Sequence, residues 1–279
     1  MEALMKLGIW FYGLGTILTG ILNLAWGGFD ASHQPIQSLG LGLPAQHLLA
    51  YVLGVWLIAA GVAILFPRTQ KIAAAASALA YLVCVAFWMA RFNPGLHAPG
   101  PRIKLVFGAL FGLAQQLMLI APAVLLFWAA SPDSIAQKRA ATTTRWMLGL
   151  PPVIFGILHL IGLRGFASIV PHWMPFATFW AAFTGVAFIL AGCAICSGKL
   201  DVLALKLLAL MLFLFEPTVE IPPIFTRLHN LPTWGAAVYN ITAIGACLIF
   251  AAYLTHLADR KRLGPGADRT LSSLGQLVA

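Results

Sequence analysis

The sequence predicts an all-α fold: a polytopic membrane bundle of eight transmembrane helices built as two parallel four-helix repeats. Three observations lead there. The 279 residues are 61% hydrophobic and 9% charged, too apolar for a water-soluble domain. Their uncharged runs reach the roughly 20 residues that a helix needs to cross a bilayer core. One plan also occurs twice, in LGLPAQHLLAYVLGVWLIAAG at Leu41 to Gly61 and VPHWMPFATFWAAFTGVAFILAG at Val170 to Gly192. Each copy runs from a turn-forming proline through an aromatic-bearing apolar stretch to a glycine pair seven apart, Gly54/Gly61 and Gly185/Gly192.

Taken in order, the spans fall near 5–26, 46–66, 72–91, 104–129, 146–163, 176–197, 202–221 and 234–257. The first has a short basic start ending at Lys6, no A-x-A cleavage site, and an apolar run too long for a cleaved signal peptide, so it reads as a retained helix. Turn chemistry separates the others: Pro67-Arg68, Asn93-Pro94, Pro99-Gly100-Pro101, Ser131-Pro132-Asp133 and Pro222-Pro223. From Asp259 the chain turns basic and Gly-rich, the composition of a mobile tail. The expected organisation is a first module over 1–130, a cytoplasmic linker over 131–145, a second module over 146–258 and a tail over 259–279.

The net charge of +9 is spread through short loops rather than gathered on one face, which argues against a nucleic-acid partner and for topology signals. Twelve lysines and arginines fall on the side of the N-terminus and tail, and five on the other. That asymmetry puts both termini in the cytoplasm, with seven tryptophans mostly near helix ends as an interfacial belt. Gly20-Ile21-Leu22-Asn23-Leu24 aligns with Gly156-Ile157-Leu158-His159-Leu160 at an offset of 136. After a gap of five, the glycine pairs and Leu96-His97 against Leu228-His229 align at 131 or 132. Four helices per copy leave both copies in the same orientation, related by an axis along the membrane normal.

The segments GLPAQHLLAYVLGVWLIAAG and VPHWMPFATFWAAFTGVAFILAG resemble the second-helix signature of DoxX and DoxX-like proteins, and GILHL resembles the end of that family's first helix. The resemblance covers both halves and implies two fused DoxX-type modules in a bacterial inner membrane. It also implies a link to membrane redox systems such as the thiosulfate:quinone oxidoreductase small subunits, with a quinone as cofactor or substrate. Many members carry a glutamate four residues before the last glycine of the signature; here Leu57 and Phe188 stand in its place.

Several residues carry candidate chemistry. The apolar run from Val202 to Phe215 is too short to cross alone, so its helix takes in Glu216 and Glu220, with Glu216 roughly 7 Å below the outer end. The two carboxyls share a face, and Pro217 between them frees backbone carbonyls. His159, one turn from the outer end of the fifth span, completes an acid–base set with them. Salt bridges from the carboxyls to Arg91, Arg164 or Arg227 are the structural alternative.

Gln115 and Gln116 lie mid-span, where an amide either bonds across helices or lines a ligand cavity. His33, Gln34, His172 and Trp173 lie in the first outer loop of each copy. Gln115, His172 and Trp173 are the candidate contacts of a bound cofactor. No H-x-x-x-H or mixed Cys/His spacing points to a metal. Cys193-Ala-Ile-Cys196 is a C-x-x-C at the cytoplasmic end of a span, not at a helix N-terminus where that motif activates a thiol.

Gly108 and Gly112 read as a small-xxx-small packing face. The sequence shows no haem or flavin motif, so a redox reading calls for a partner protein. The alternatives are a carrier for a small hydrophobic or lipid-like solute and a ligand-free scaffold.

Overall fold

In a computed structural model, the described residues are 2–36, 45–92, 102–129, 131 and 133–263, with the side chains of 102–105 and 261–263 excepted. His97 and the tail beyond 263 lie outside them. The regular elements are all helices: α1 (Glu2–Trp26), α2 (Gln46–Ile64), α3 (Gln70–Ala90), α4 (Arg102–Ala129), α5 (Ser134–Ile161), the short α6 (Leu163–Ala167), α7 (Ala177–Ser197), α8 (Asp201–Thr226) and α9 (Leu231–Leu263). All but α6 are long and apolar enough to cross a membrane, and the protein is a multi-pass membrane protein.

Three boundaries differ from the sequence reading, the first being the seventh span, expected to end at 221, which runs on through Pro222-Pro223 to Thr226. Residues 134–145, expected as a linker, form the first turns of α5, because Asp133 caps the helix by accepting a hydrogen bond from the Ile135 N–H at 2.8 Å. The last helix runs to Leu263, past the expected start of the tail at Asp259.

Neighbours follow chain order around a ring, α1 to α2 to α3 to α4, then α5 to α7 to α8 to α9, and α9 closes on α1. α4 and α9 are the most buried helices and also touch each other. α9 carries Ala243, Ile244, Ala246, Cys247, Ile249 and Phe250 fully buried, as an all-round apolar helix at a bundle centre requires.

Glycines set how closely the helices approach. A Cβ on Gly20 would meet the Gly54 carbonyl oxygen at 2.5 Å, and one on Gly61 the Gly13 oxygen at 2.7 Å. The second half repeats the contact: Gly192 faces the Gly149 oxygen at 2.5 Å, and Gly156 faces the Gly185 carbonyl. Small residues thus allow the backbones of α1 and α2, and of α5 and α7, to pack at contact distance.

A second feature recurs. The residues preceding α2 and α7, Ala45 (φ 57°) and Phe176 (φ 60°), both adopt the left-handed conformation that side chains disfavour. At the end nearest the N-terminus, the Ile64 carbonyl accepts from Gln70 Nε2 at 3.0 Å, and the corresponding Ile195 carbonyl accepts from Arg145 Nη1 at 2.7 Å. Arg145 also pairs with Asp201 at 2.8 Å, tying α5 to α8.

Of Gly108 and Gly112, only Gly112 packs against a neighbouring helix, α3. No described atom lies within 4 Å of a Cβ built on Gly108, while one on Gly112 would run into the Trp88 ring. Gly112 is the seat of an indole.

Candidate functional site

The end of the bundle remote from the N-terminus, called here the distal end, contains a cavity of about 820 Å³ bounded by α3, α4, α5, α7, α8 and α9. The volume is that of a site for a sizeable organic molecule. The walls are mainly apolar and aromatic, with Trp88, Phe111, Phe155, Phe166, Trp180 and Phe188 among them. Phe155 sits between Phe111 and Phe188, at centroid distances of 4.9 and 5.9 Å. Phe183 of α7 and Leu214 of α8 line the cavity and are also 54% and 52% exposed on the outer surface. The cavity therefore reaches the lipid-facing side of the bundle between these two helices.

Polar groups converge on this apolar space: His33, Arg91, Gln115, His159, Glu220 and Asn240. His33 arrives on the loop after α1, which folds inward because Phe29 and Ile36 bury against Ala50. That loop is held by the His47 Nδ1 contact to the Gly27 carbonyl at 2.6 Å and by the Ser32 N–H and hydroxyl, which donate to Asp30 Oδ1 at 2.9 and 2.6 Å.

His33 Nδ1 lies 2.7 Å from Asp30 Oδ2, its ring stacks on Tyr239 at 5.3 Å, and its Nε2 lies 3.2 Å from Gln115 Nε2. The arrangement is self-consistent with Nδ1–H donating to the carboxylate and Nε2 accepting from the Gln115 amide. Burial acts to raise the Asp30 carboxyl, but the His33 and Ser32 hydrogen bonds outweigh it and hold it below the usual carboxylate range. α9 leaves room for the pair at Gly235, where a Cβ would run into Asp30 Oδ2.

The carboxyls of α8 lie close by. A π-helical turn over Glu216–Glu220 widens the helix at Pro217, as expected where a proline removes a backbone donor. Glu220 reaches the cavity wall and lies near His33. Glu216 is buried behind it, with both carboxyl oxygens free of any partner of hydrogen-bonding geometry. The Asn240 amide of α9 lies beside both carboxyls. Among the described residues neither glutamate forms the salt bridge to Arg91, Arg164 or Arg227 that the sequence offered as an alternative. Arg91 instead lies over the Trp88 ring, 4.7 Å from its centroid.

His159 is placed in the cavity wall, with Nδ1 2.8 Å from the Phe155 carbonyl and its ring stacked on Phe166 at 3.7 Å. It makes no ion pair with Glu216. Gln115 lines the cavity; its neighbour Gln116 turns away and donates to the His33 carbonyl at 2.7 Å. His172 and Trp173 are exposed on the loop before α7 and lie outside the cavity, while Pro171 and Met174 beside them line it.

Cys193 and Cys196 are free thiols at the opposite end, with Cys196 Sγ packed against Gly149. Sequence reasoning missed Asp30, Asn240 and the inward course of the first loop. One signal was present: Asp30 is the single acidic residue between Glu2 and Asp133, three before a histidine.

No family model matches the chain, and no curated protein or solved structure matches it.

Proposed function

We propose that the protein is a DoxX-type integral membrane protein of two fused four-helix modules, whose distal cavity binds a lipid-soluble quinone and exchanges protons with its headgroup. The observation that carries the reading is His33, set in the wall of a mainly apolar and aromatic cavity of about 820 Å³ and paired behind that wall with Asp30. The paired glycine contacts and the matching left-handed residues Ala45 and Phe176 support the two-module architecture. The lysine and arginine asymmetry supports cytoplasmic termini, and the DoxX resemblance is the ground for a bacterial inner membrane.

The residues suit such a ligand. Flat aromatic faces accept a ring, and the buried Oε1 of Gln115, without a partner of its own, is placed to accept from a hydroxyl of the reduced quinol. A quinone, when bound, supplies two-electron chemistry in which two protons accompany the electrons. His33 Nε2 takes up or gives a proton at the cavity wall, and Asp30, accepting from Nδ1–H, fixes the ring. Glu220 provides a second proton site, and the Asn240 amide orients it. Arg91 favours negative charge on a ligand oxygen. The opening between α7 and α8 admits the ligand from the bilayer, and the electrons pass to or from a partner redox protein.

The test is lipid extraction and a redox difference spectrum on the gently purified protein. Quinone retained near one per chain, responding to added reductant and lost in His33→Asn, is the expected result. Absence of quinone, with another lipid or apolar solute retained in stoichiometric amount, overturns the redox reading in favour of a carrier.

A further inference from the structure

Behind the His33 ring lies a second, smaller chamber of about 30 Å³, room for one water molecule. His33 and Tyr239 line both it and the large cavity. Three side chains of its lining are 4% exposed or less and carry an atom without a partner: Asn23 of α1, Gln34 of the loop after α1, and Gln116 of α4. The atoms are Asn23 Nδ2, Gln34 Oε1 and Gln116 Oε1.

The other polar groups around the chamber are already engaged. Asp30 accepts from Ser32 and pairs with His33, and the Thr19 and Thr242 hydroxyls donate to the Gly15 and Val238 carbonyls, both at 2.9 Å. Two free acceptors and one free donor remain. They are the complement of one water, which gives two hydrogens and receives the amide on a lone pair. An empty chamber would leave three buried polar atoms unsatisfied at one point.

Such a water joins the loop that carries His33 to the helices on either side of it. Gln116 already holds that loop directly, its Nε2 donating to the His33 carbonyl at 2.7 Å. Its Oε1 is the acceptor that a water would link to the Gln34 side chain and, through Asn23, to α1.

We infer that the chamber holds one ordered water bridging Asn23, Gln34 and Gln116, and that Gln116 acts with it to set the His33 ring in the wall of the large cavity. Gln116 is a positioning residue: it does not line the large cavity and acts on His33 through the loop backbone. The other half of the chain lacks this clamp. There His159 aligns with Asn23 and lines the large cavity, and the loop that follows leaves His172 and Trp173 exposed. The inference deepens the quinone reading, which makes His33 the proton-exchanging group.

Two measurements test it, and neither depends on quinone being retained. A density map of the full chain in lipid nanodiscs, at a resolution that shows waters, is expected to hold one water about 2.7–3.0 Å from each of the three atoms. An empty chamber, or one filled by a side chain, overturns the inference and needs no variant to fold. The second measurement is the imidazole nitrogen NMR signal of His33, identified by its absence in His33→Asn. It is expected to report one fixed tautomer in the unaltered chain and in Thr242→Val, which removes no group the water uses. In Gln116→Met, and in the milder Gln34→Met, which keeps the direct Gln116 bond, the signal is expected to broaden toward an average of the two tautomers. A fixed tautomer retained in either variant, folded, overturns the positioning role. A chain that holds the water and the fixed ring but no quinone refutes the quinone reading and leaves the inference standing.

Discussion

Replacing Ala50 and, separately, Ala181 by phenylalanine sets a packed core against a cavity with one and the same substitution. The two alanines correspond in the repeat, 181 − 50 = 131 residues apart, and are 0% and 3% exposed. Their surroundings differ. Ala50 is enclosed by Phe29 and Ile36 of the folded-in loop together with Leu53 and Phe87, whereas Ala181 lines the cavity of about 820 Å³.

A ring forced in at position 50 has no free volume, and overpacking costs about 1–3 kcal/mol. At about 2–4 °C per kcal/mol, the midpoint falls by about 2–12 °C. At position 181 the methyl is almost fully covered but belongs to the cavity wall, so a ring that turns into the cavity buries on the order of 100 Å² of added apolar surface. At about 25 cal/mol per Å² that gains up to ~2.5 kcal/mol if water is displaced, and about 0 kcal/mol if lipid is displaced. The assay is tryptophan-monitored thermal unfolding of both variants, with bound lipid quantified in parallel. Ala181→Phe holds or raises the midpoint and lowers ligand retention, while Ala50→Phe is destabilised. Equal destabilisation of the two would show that no cavity exists beside Ala181 and would refute the reasoning.

Gly156→Ala should cost about 1–3 kcal/mol because its new methyl meets the Gly185 backbone, whereas Gly108→Ala, facing open space, should be neutral or stabilising by up to about 1 kcal/mol; paired unfolding midpoints check both. Asp30 has a folded pKa below its unfolded value near 3.9, so its stability contribution is present above about pH 4 and is lost as pH falls through the folded value. In His33→Ala burial dominates and raises that pKa, so the contribution reverses and stability is lost as pH rises from about 4. Midpoints from about pH 3 to pH 7 should differ in slope between the two proteins, and parallel profiles would contradict the pairing. In a cysteine-free background, His172→Cys and Lys199→Cys should label from opposite sides of sealed vesicles, with Lys199→Cys on the cytoplasmic side; labelling of both from one side would overturn the topology.

The spans were legible because crossing a bilayer imposes length and hydropathy on each helix separately, and Pro67 and Pro132 fall between spans, whereas the Pro222-Pro223 pair lies inside α8. The glycines were legible as a recurring spacing, and the structure assigns them partners: Gly20 with Gly54, and Gly149 with Gly192. The start of α5 was not, since Gln137 to Arg145 is polar enough to read as a linker and only the Asp133 cap reveals the helix. Glu216 and Glu220 stood out as carboxyls inside a span. Which of them reaches the cavity depends on the π-helical turn, a local widening with no spacing signature. Asp30 and His33 were hardest to foresee, because a loop's inward fold is decided by tertiary burial of Phe29 and Ile36 rather than by periodicity. His172 and Trp173 were legible as outer-loop residues, but sequence position alone does not tell an exposed loop from one that plugs a bundle.

The most direct test of the central claim is an experimental density map of the full chain in lipid nanodiscs at a resolution that shows side chains. The account predicts an elongated ligand density in the distal cavity, its flat head within hydrogen-bonding distance of His33 and Gln115 and its tail leaving between Phe183 and Leu214. A cavity closed by side chains, or one holding only water beside an outward-turned His33, would contradict it.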